Sequence, residues 1–107
     1  MPKSKSKADP NQSPMVAHDT RAYQTLDFTP TFLTGLAGLS PDDSRRVIRA
    51  LAPLDTNERN RSLRVHELVG RLEGVWSASA GGGLRITFER LTHGRKILLT
   101  CSHHYGD

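Results

Sequence analysis

The chain has 107 residues, a mass of 11.8 kDa and a formal net charge of +4, and a chain of this length makes one domain at most. Its apolar runs are too short to span a membrane and no signal-peptide core follows the N-terminal lysines, so we expect a cytoplasmic protein with no membrane partner. Cys101 is the single cysteine, which excludes an intramolecular disulfide and argues against a cysteine-based zinc site.

Residues 1–22 are rich in Lys, Ser, Pro, Asn and Asp, a composition typical of a flexible basic leader. They carry a net charge of +2, half of the total, so residues 23–107, with ten arginines and one lysine, are only mildly basic. Arginine suits bidentate contact with phosphate, although salt-bridged surface arginines are more common. The charge is therefore compatible with a nucleic-acid partner but does not demand one.

A short strand and a first helix are predicted at the start of the folded domain, residues 23–107. Polar and apolar side chains alternate over Tyr23–Phe28, which indicates the strand. Thr29 can cap a helix whose first residue is Pro30, a position where proline fits well. Gly35 and Gly38 weaken this helix, so we expect it to be short.

The second helix has the clearest local pattern. Ser40 supplies an N-cap and Pro41 the first helical residue, and the two aspartates that follow lie beside the positive end of the helix dipole. Apolar side chains then recur every three or four residues. Pro53 should end or kink the helix, which leaves Asp55–Ser62 as a polar loop.

Beyond Leu63 the apolar period changes from helical to two. Val75–Ala80, Leu84–Arg90 and Ile97–His103 are predicted strands, separated by a three-glycine turn and by a turn at His93-Gly94. Connections this short make an antiparallel meander. The predicted fold class is therefore α+β, with the two N-terminal helices packed on one face of a small twisted antiparallel sheet.

Alternation also predicts the register of these strands, because a slip by one residue would turn the apolar set outward. Ile97, Leu99 and Cys101 should face the helices from the last strand. The expected cross-strand pairs are Phe88 with Leu99, Ile86 with Cys101, Trp76 with Phe88, and Ala78 with Ile86.

The other sheet face is then predicted to be polar. Arg85 should lie across from Ser102, which makes His104 its diagonal neighbour, within reach of long side chains. A guanidinium and an imidazole are thus expected to meet on a solvent-facing surface. The residues assigned to this face are Ser77, Ser79, Arg85, Thr87, Thr100, Ser102 and His104.

Several segments in this half of the chain resemble the RelE/ParE toxin superfamily, and within it the YoeB-like branch. The resemblance is carried by His66-Glu67-Leu68-Val69-Gly70, Gly74-Val75-Trp76-Ser77, Leu84-Arg85-Ile86-Thr87-Phe88 and Cys101-Ser102-His103-His104-Tyr105. It is close over Leu63–Tyr105, reaches Phe32–Leu54 only as the expected pair of helices, and does not extend to the leader.

The resemblance implies the toxin of a type II toxin–antitoxin pair, held silent by a cognate antitoxin protein. Such toxins enter the ribosomal A site and cleave the mRNA there. Arg85 matches the family's transition-state arginine, His104 its general acid and Tyr105 the terminal aromatic that orients substrate. His66 stands where YoeB-like toxins have a glutamate base.

No cofactor or metal ion is required by this chemistry, because the RNA 2′-hydroxyl is the nucleophile. Arg64 and Arg71 are candidate RNA contacts, as is Ser79 across from Arg85. The family usually has a basic residue at the position of Ser79, and often a lysine at that of Val69. Both differences reduce the positive charge expected around the phosphate.

Each of these residues also has an ordinary structural interpretation. His66 can be a loop histidine without a role, Arg85 an ordinary partner of Glu89 or of a neighbour on the sheet, and His104-Tyr105 a frayed chain end. His103 should point to the opposite face and be structural, and Trp76 should belong to the core rather than stack on bases.

Two other functions stay open. A ParE-like toxin would poison DNA gyrase without cutting RNA, and the shared fold does not distinguish the two activities. A catalytically weak relative would act through antitoxin-dependent repression. The Arg85, His104 and Tyr105 set favours the ribonuclease, since a gyrase inhibitor needs no acid–base pair.

Overall fold

The structure is a computed structural model that describes residues 22–70 and 73–103. It contains two helices and a five-stranded mixed sheet in an α+β arrangement. The strand order is β1-β5-β4-β3-β2, with β1 parallel to β5 and all other neighbours antiparallel. In chain order the elements are β1 (Leu26–Phe28), α1 (Pro30–Ala37), α2 (Pro41–Thr56), β2 (His66–Glu67), β3 (Trp76–Gly81), β4 (Leu84–Arg90) and β5 (Lys96–His103).

The sheet is mixed, so the prediction of a wholly antiparallel sheet was wrong. β1 runs parallel to β5, with Leu26 opposite Lys96 and Phe28 opposite Leu98. A parallel pair needs a long connection, and here the rest of the domain lies between the two strands. Nothing local to Leu26–Phe28 therefore indicates its direction.

Both predicted helix caps are present. The Thr29 side chain accepts a hydrogen bond from Phe32 N, and Ser40 accepts one from Asp43 N, each with proline at the start of the helix. Pro53 was expected to end or kink α2, but the helix continues to Thr56. Asp55 holds the last turn of α2 through hydrogen bonds to the segment before β1.

Asp55, which was assigned to a polar loop, is buried at the end of α2. Its carboxylate accepts hydrogen bonds from the backbone N–H groups of Gln24 and Thr25 and from the Thr25 hydroxyl, at 2.7–3.1 Å. Because these bonds satisfy the backbone just before β1, the strand is shorter than the predicted Tyr23–Phe28.

One hydrophobic cluster joins the helices and the sheet. Its helical members include Phe32, Leu36, Val47, Leu51 and Leu54, and its strand members include Leu26, Ala78, Leu84, Ile86, Phe88, Leu98 and Cys101. α1 approaches β5 closely, since a Cβ atom added at Gly35 would lie 3.3 Å from the Cys101 carbonyl oxygen. Gly35 therefore permits this close contact. The sequence pattern had indicated only that a glycine at this position weakens the helix.

Most of the predicted register is correct. Trp76 pairs with Phe88, Ala78 with Ile86, and Ile86 with Cys101. Phe88 pairs with Leu98 rather than Leu99, because the register shifts between Thr87 and Phe88. This bulge turns Leu98 into the core in place of Ile97 and Leu99, and strict alternation cannot anticipate it.

Residues 1–21, almost the whole predicted leader, lie outside the described residues, and the division of the chain at residue 22 stays a prediction. In the part of the chain that the structure describes, no helix is long and apolar enough to cross a membrane.

Candidate functional site

The polar face of the sheet is built from β2, β3, β4 and β5. Arg85 lies between Ser79 on one side and Ser102 on the other, in the predicted register. Two residues further along β4, Thr87 pairs with Ser77 and with Thr100. The Thr87 and Thr100 hydroxyls hydrogen-bond to each other at 2.5 Å. Paired residues of an antiparallel sheet share a face, so these side chains and Arg85 project to the same side.

The Arg85 guanidinium has no salt-bridge or hydrogen-bond partner among residues 22–70 and 73–103. The side chain is nevertheless partly buried, whereas the arginines of α2 and of the loop between α2 and β2 are exposed. The expected structural partner, Glu89, is exposed and makes no bond with Arg85. An unpaired cation on a polar surface is well suited to bind an anion.

His66 joins this face from the edge strand. β2 was not predicted, because it contains only two residues, both exposed. His66 pairs with Ser77, which pairs with Thr87, so the imidazole is on the same face as Arg85. Two strand spacings of about 4.8 Å separate β2 from β4, and side chains of this length can converge over the strand between them.

A hydrogen bond to the backbone orients the His66 ring. Its Nδ1 lies 3.0 Å from the Arg64 carbonyl oxygen. Because a carbonyl oxygen only accepts, Nδ1 carries the proton, and in the neutral ring the lone pair is on Nε2. The ring is therefore held in the tautomer that can accept a proton from a substrate at Nε2.

Glu67, the neighbour of His66, does not offer an alternative base on this face. It pairs with Trp76, on the opposite side of the sheet, and its carboxylate accepts a hydrogen bond from Gly74 N at 3.0 Å. That bond closes the turn that leads into β3.

The remaining predicted site residues are only partly described. Arg64 is exposed, in a left-handed backbone conformation with φ of 47°. The Ser79 hydroxyl accepts a hydrogen bond from Gly81 N at 3.2 Å, so it also supports the end of β3. Arg71, His104 and Tyr105 lie outside the described residues. Their assigned roles stay predictions.

The end of β5 is fixed to α2 by a contact that alternation partly predicted. His103 pairs with Leu84 and so faces away from Arg85, and its Nε2 donates to Asp43 Oδ2 at 2.8 Å. This hydrogen bond, together with one from Arg46, holds the pKa of Asp43 below its usual value although partial burial works in the opposite direction. His103 is thus structural, as expected, but its partner was not predicted.

Cys101 is buried and belongs to the core, as expected, and its burial raises the pKa of the thiol to about 12. It is therefore a thiol and not a thiolate at neutral pH, and a buried thiol is a poor nucleophile. Within residues 22–70 and 73–103, no three His, Cys, Asp or Glu side chains are grouped as they would be around a metal ion.

No protein-family model matches the chain, and no curated protein is significantly similar to it in sequence. Solved structures do match. The RelBE2 toxin–antitoxin complex of Mycobacterium tuberculosis is 25% identical, with a TM-score of 0.55 over 75% of this chain and 96% of that one. A YoeB/ParE toxin of Agrobacterium tumefaciens is 20% identical, with a TM-score of 0.58 over 77% and 100%. The archaeal RelE–RelB complex of Pyrococcus horikoshii is 17% identical, with a TM-score of 0.62 over 79% and 98%.

Proposed function

We propose that this chain, which has the fold of the RelE/ParE toxin superfamily, is the toxin of a type II toxin–antitoxin pair and a metal-independent endoribonuclease that cleaves mRNA. Its partners would be a cognate antitoxin protein, the mRNA and the ribosomal A site. The similarity to solved RelE, YoeB and YafQ toxins, several of them in complexes with antitoxins, supports the toxin role.

The observation that most supports ribonuclease activity is the charge of Arg85, which has no partner among the described residues and lies on a polar face shared with His66. Four other described arginines are neutralised by Asp or Glu side chains: Arg45, Arg46, Arg90 and Arg95. Arg85 and His66 instead present a cation and a proton acceptor to solvent from neighbouring parts of one sheet. They supply two of the three groups that this cleavage of a phosphodiester uses, the base and the cation, and the third is an acid for the leaving oxygen.

In the proposed reaction, His66 Nε2 takes the proton of the RNA 2′-hydroxyl, and the 2′-oxygen attacks the adjacent phosphorus. Arg85 stabilises the negative charge that develops on the non-bridging phosphate oxygens. The bond from phosphorus to the 5′-oxygen breaks, and His104 donates a proton to that oxygen. The products are a 2′,3′-cyclic phosphate and a 5′-hydroxyl.

The other predicted residues would bind and orient the substrate. Tyr105 would align the nucleotide by stacking, which suits an aromatic side chain and single-stranded RNA. Arg64 and Arg71 would contact phosphates of the RNA chain away from the scissile bond. Ser79, beside Arg85, can still donate from its hydroxyl while it accepts from Gly81 N.

The test is to add the protein to a cell-free translation reaction and to map mRNA 5′ ends by primer extension. We expect cuts in phase with codons, which disappear with the His104→Ala variant and persist with His93→Ala, a change in an exposed turn. Intact mRNA together with impaired supercoiling by DNA gyrase would contradict the proposal and favour the ParE-like function.

A further inference from the structure

A pocket of about 500 Å³ lies between the loop that precedes β2 and the sheet, away from the polar face that carries Arg85. The loop between α2 and β2 forms one wall, and Trp76 and Arg90 form the other. Trp76 pairs with Phe88, whose side chain is in the core, so the pocket opens on the helix side of the sheet. The proposed cleavage reaction does not use it.

The pocket walls are ordered by their own hydrogen bonds. Asn60 Oδ1 accepts from the backbone N and the hydroxyl of Ser62, and Asn60 O accepts from Leu63 N. Arg64 then turns the chain in a left-handed conformation, and Arg64 N donates to Arg61 O. These bonds order the backbone of the loop that carries Arg59, Arg61 and Arg64.

Arg90 forms a fixed, flat cation on the opposite wall. Its Cζ atom lies 3.9 Å from the centroid of the Trp76 ring, and its guanidinium contacts Glu58 at 2.5 Å. One face of the guanidinium is thus stacked on the indole. The face directed away from Trp76 can receive a planar group.

The charge of the pocket is not balanced. Glu58 already contacts Arg90 and Lys96. Arg59, Arg61 and Arg64 are exposed, and their guanidinium groups contact no carboxylate within residues 22–70 and 73–103. Three free guanidinium groups beside an ordered loop form a site for a polyanion.

We propose that this pocket binds single-stranded RNA several nucleotides away from the scissile phosphate, with Arg59, Arg61 and Arg64 on phosphates and a base stacked on Arg90. The inference rests on the proposed ribonuclease function and adds a second RNA-contacting region to it. Arg64 links the two regions, because its carbonyl oxygen holds the His66 ring while its side chain lines the pocket. RNA bound at His66 would pass around the β2 edge to reach it.

RNA fits this pocket better than an acidic peptide. Both would neutralise the three arginines, but every nucleobase has a planar face that can stack on the Arg90–Trp76 layer, whereas an acidic side chain has none. Guanidinium groups also match the bidentate geometry of phosphate oxygens.

The experiment measures binding of a single-stranded 2′-O-methyl RNA, which the protein cannot cleave because the 2′-hydroxyl is blocked. Full-length protein is compared with the Arg59→Gln/Arg61→Gln double variant and with Arg45→Gln/Arg49→Gln, which removes the same charge from the exposed side of α2. An equally charged oligoglutamate peptide serves as a second probe.

We expect the pocket variant to weaken RNA binding at least about tenfold and to lower the salt slope of log K by about 1, with a much smaller change in the α2 variant. Arg59→Lys/Arg61→Lys should keep most of the salt slope. Equal losses in the two glutamine variants, or tighter binding of oligoglutamate than of RNA at the pocket, would overturn the inference.

The binding assay is independent of the cleavage assay, so the two proposals fail separately. If mRNA is cut in a His104-dependent way but the two glutamine variants bind RNA alike, the pocket inference is wrong and the ribonuclease stands. If the pocket variant alone loses RNA binding and no mRNA is cut, the pocket is an RNA site and the ribonuclease proposal is wrong.

Discussion

Arginine is the most abundant charged residue of the domain, and the environment of each one decides its role. Arg95 pairs with Asp27 and Arg46 with Asp43, and both pairs connect elements or stabilise a helix end. Arg85 has no such partner in the described part of the chain and is partly buried on the polar face. Its charge therefore stays available for a substrate.

Replacing Arg85 by Gln should lower the rate of RNA cleavage about 10²- to 10³-fold, because one preformed donor to the transition state is lost. The fold should not change, since Arg85 makes no side-chain bond with another described residue. The rate is measured in the translation assay, with Arg49→Gln as the control for loss of one exposed charge. Equal rates for the two variants would exclude Arg85 from the site.

His66 is the residue whose role depends most on one hydrogen bond. Nδ1 donates to Arg64 O, which leaves Nε2 as the acceptor. We expect His66→Ala to reduce the cleavage rate by about 10² or more, the usual contribution of a general base. His66→Glu should recover part of this loss, because a carboxylate can also accept the proton.

The control for His66 is His93→Ala, in the exposed turn before β5. If His66→Ala cleaves at the rate of this control, His66 is an edge-strand residue without a chemical role. A rate for His66→Glu below that of His66→Ala would also contradict its assignment as the base.

The close contact between α1 and β5 depends on Gly35, which has no side chain. A Cβ atom at Gly35 would lie 3.3 Å from the Cys101 backbone oxygen, whereas one at Gly38 would lie no closer than 3.6 Å to any atom. Backbone cannot move aside as a flexible side chain can. Gly35, inside α1, can therefore be compared with Gly38, the C-cap of the same helix.

Gly35→Ala should destabilise the protein by about 1 kcal/mol relative to Gly38→Ala, because the steric cost of the tight contact outweighs the gain in helix propensity. Gly38→Ala should be neutral or slightly stabilising, since Gly38 has a φ of −85° that alanine adopts freely. Urea unfolding of the two variants measures the difference. If Gly35→Ala proves the more stable, α1 and β5 are not in close contact.

The elements that the sequence predicted correctly are those with local causes. The caps at Thr29 and Ser40 depend on side chains within three residues of each other, and they are present. The direction of β1, the two-residue β2 and the bulge opposite Thr87 depend on distant parts of the chain, and they were missed or wrong.

The continuation of α2 past Pro53 has a similar explanation. Proline has no backbone N–H group, so Pro53 removes one hydrogen bond from α2. A helix that ended at Pro53 would leave its last turn exposed. Here that turn is retained because Asp55 binds the backbone in front of β1, a contact over 30 residues that no local pattern indicates.

Asp55 joins the end of α2 to the segment that leads into β1, and so connects distant parts of the domain. Burial works to raise its pKa, but the hydrogen bonds from Thr25 and Gln24 and the nearby Lys96 outweigh it, so the pKa of Asp55 is below its usual value of 3.8. The carboxylate therefore stabilises the fold fully above the unfolded-state pKa. This contribution is lost as the pH falls through the lower, folded-state pKa.

Asp55→Asn should lower the free energy of unfolding by about 1–3 kcal/mol at pH 7, the range for hydrogen bonds to a charged group. The difference from wild type should shrink as the pH falls below 3.8. Urea unfolding at a series of pH values measures this, with Asp42→Asn, an exposed aspartate of the same helix, as the control. A difference that does not depend on pH would contradict the ionised role of Asp55.

The candidate site shows the same division between local and distant causes. Alternation within β3, β4 and β5 predicted Arg85 between Ser79 and Ser102, and this register is confirmed. The position of His66 on the same face was not derivable, because it depends on the pairing of β2 with Ser77. The arginine pocket also depends on a loop, whose path is set by long-range packing.

If the RNA's own 2′-hydroxyl is the nucleophile on the Arg85 face, the chemistry of the new RNA ends must show it. RNA recovered from the translation reaction is analysed for its termini. We expect 2′,3′-cyclic phosphate and 5′-hydroxyl ends at every cut, with both lost in Arg85→Gln and kept in Arg49→Gln. Cuts that carry 5′-phosphate and 3′-hydroxyl ends, or cuts that persist unchanged in Arg85→Gln, would contradict it.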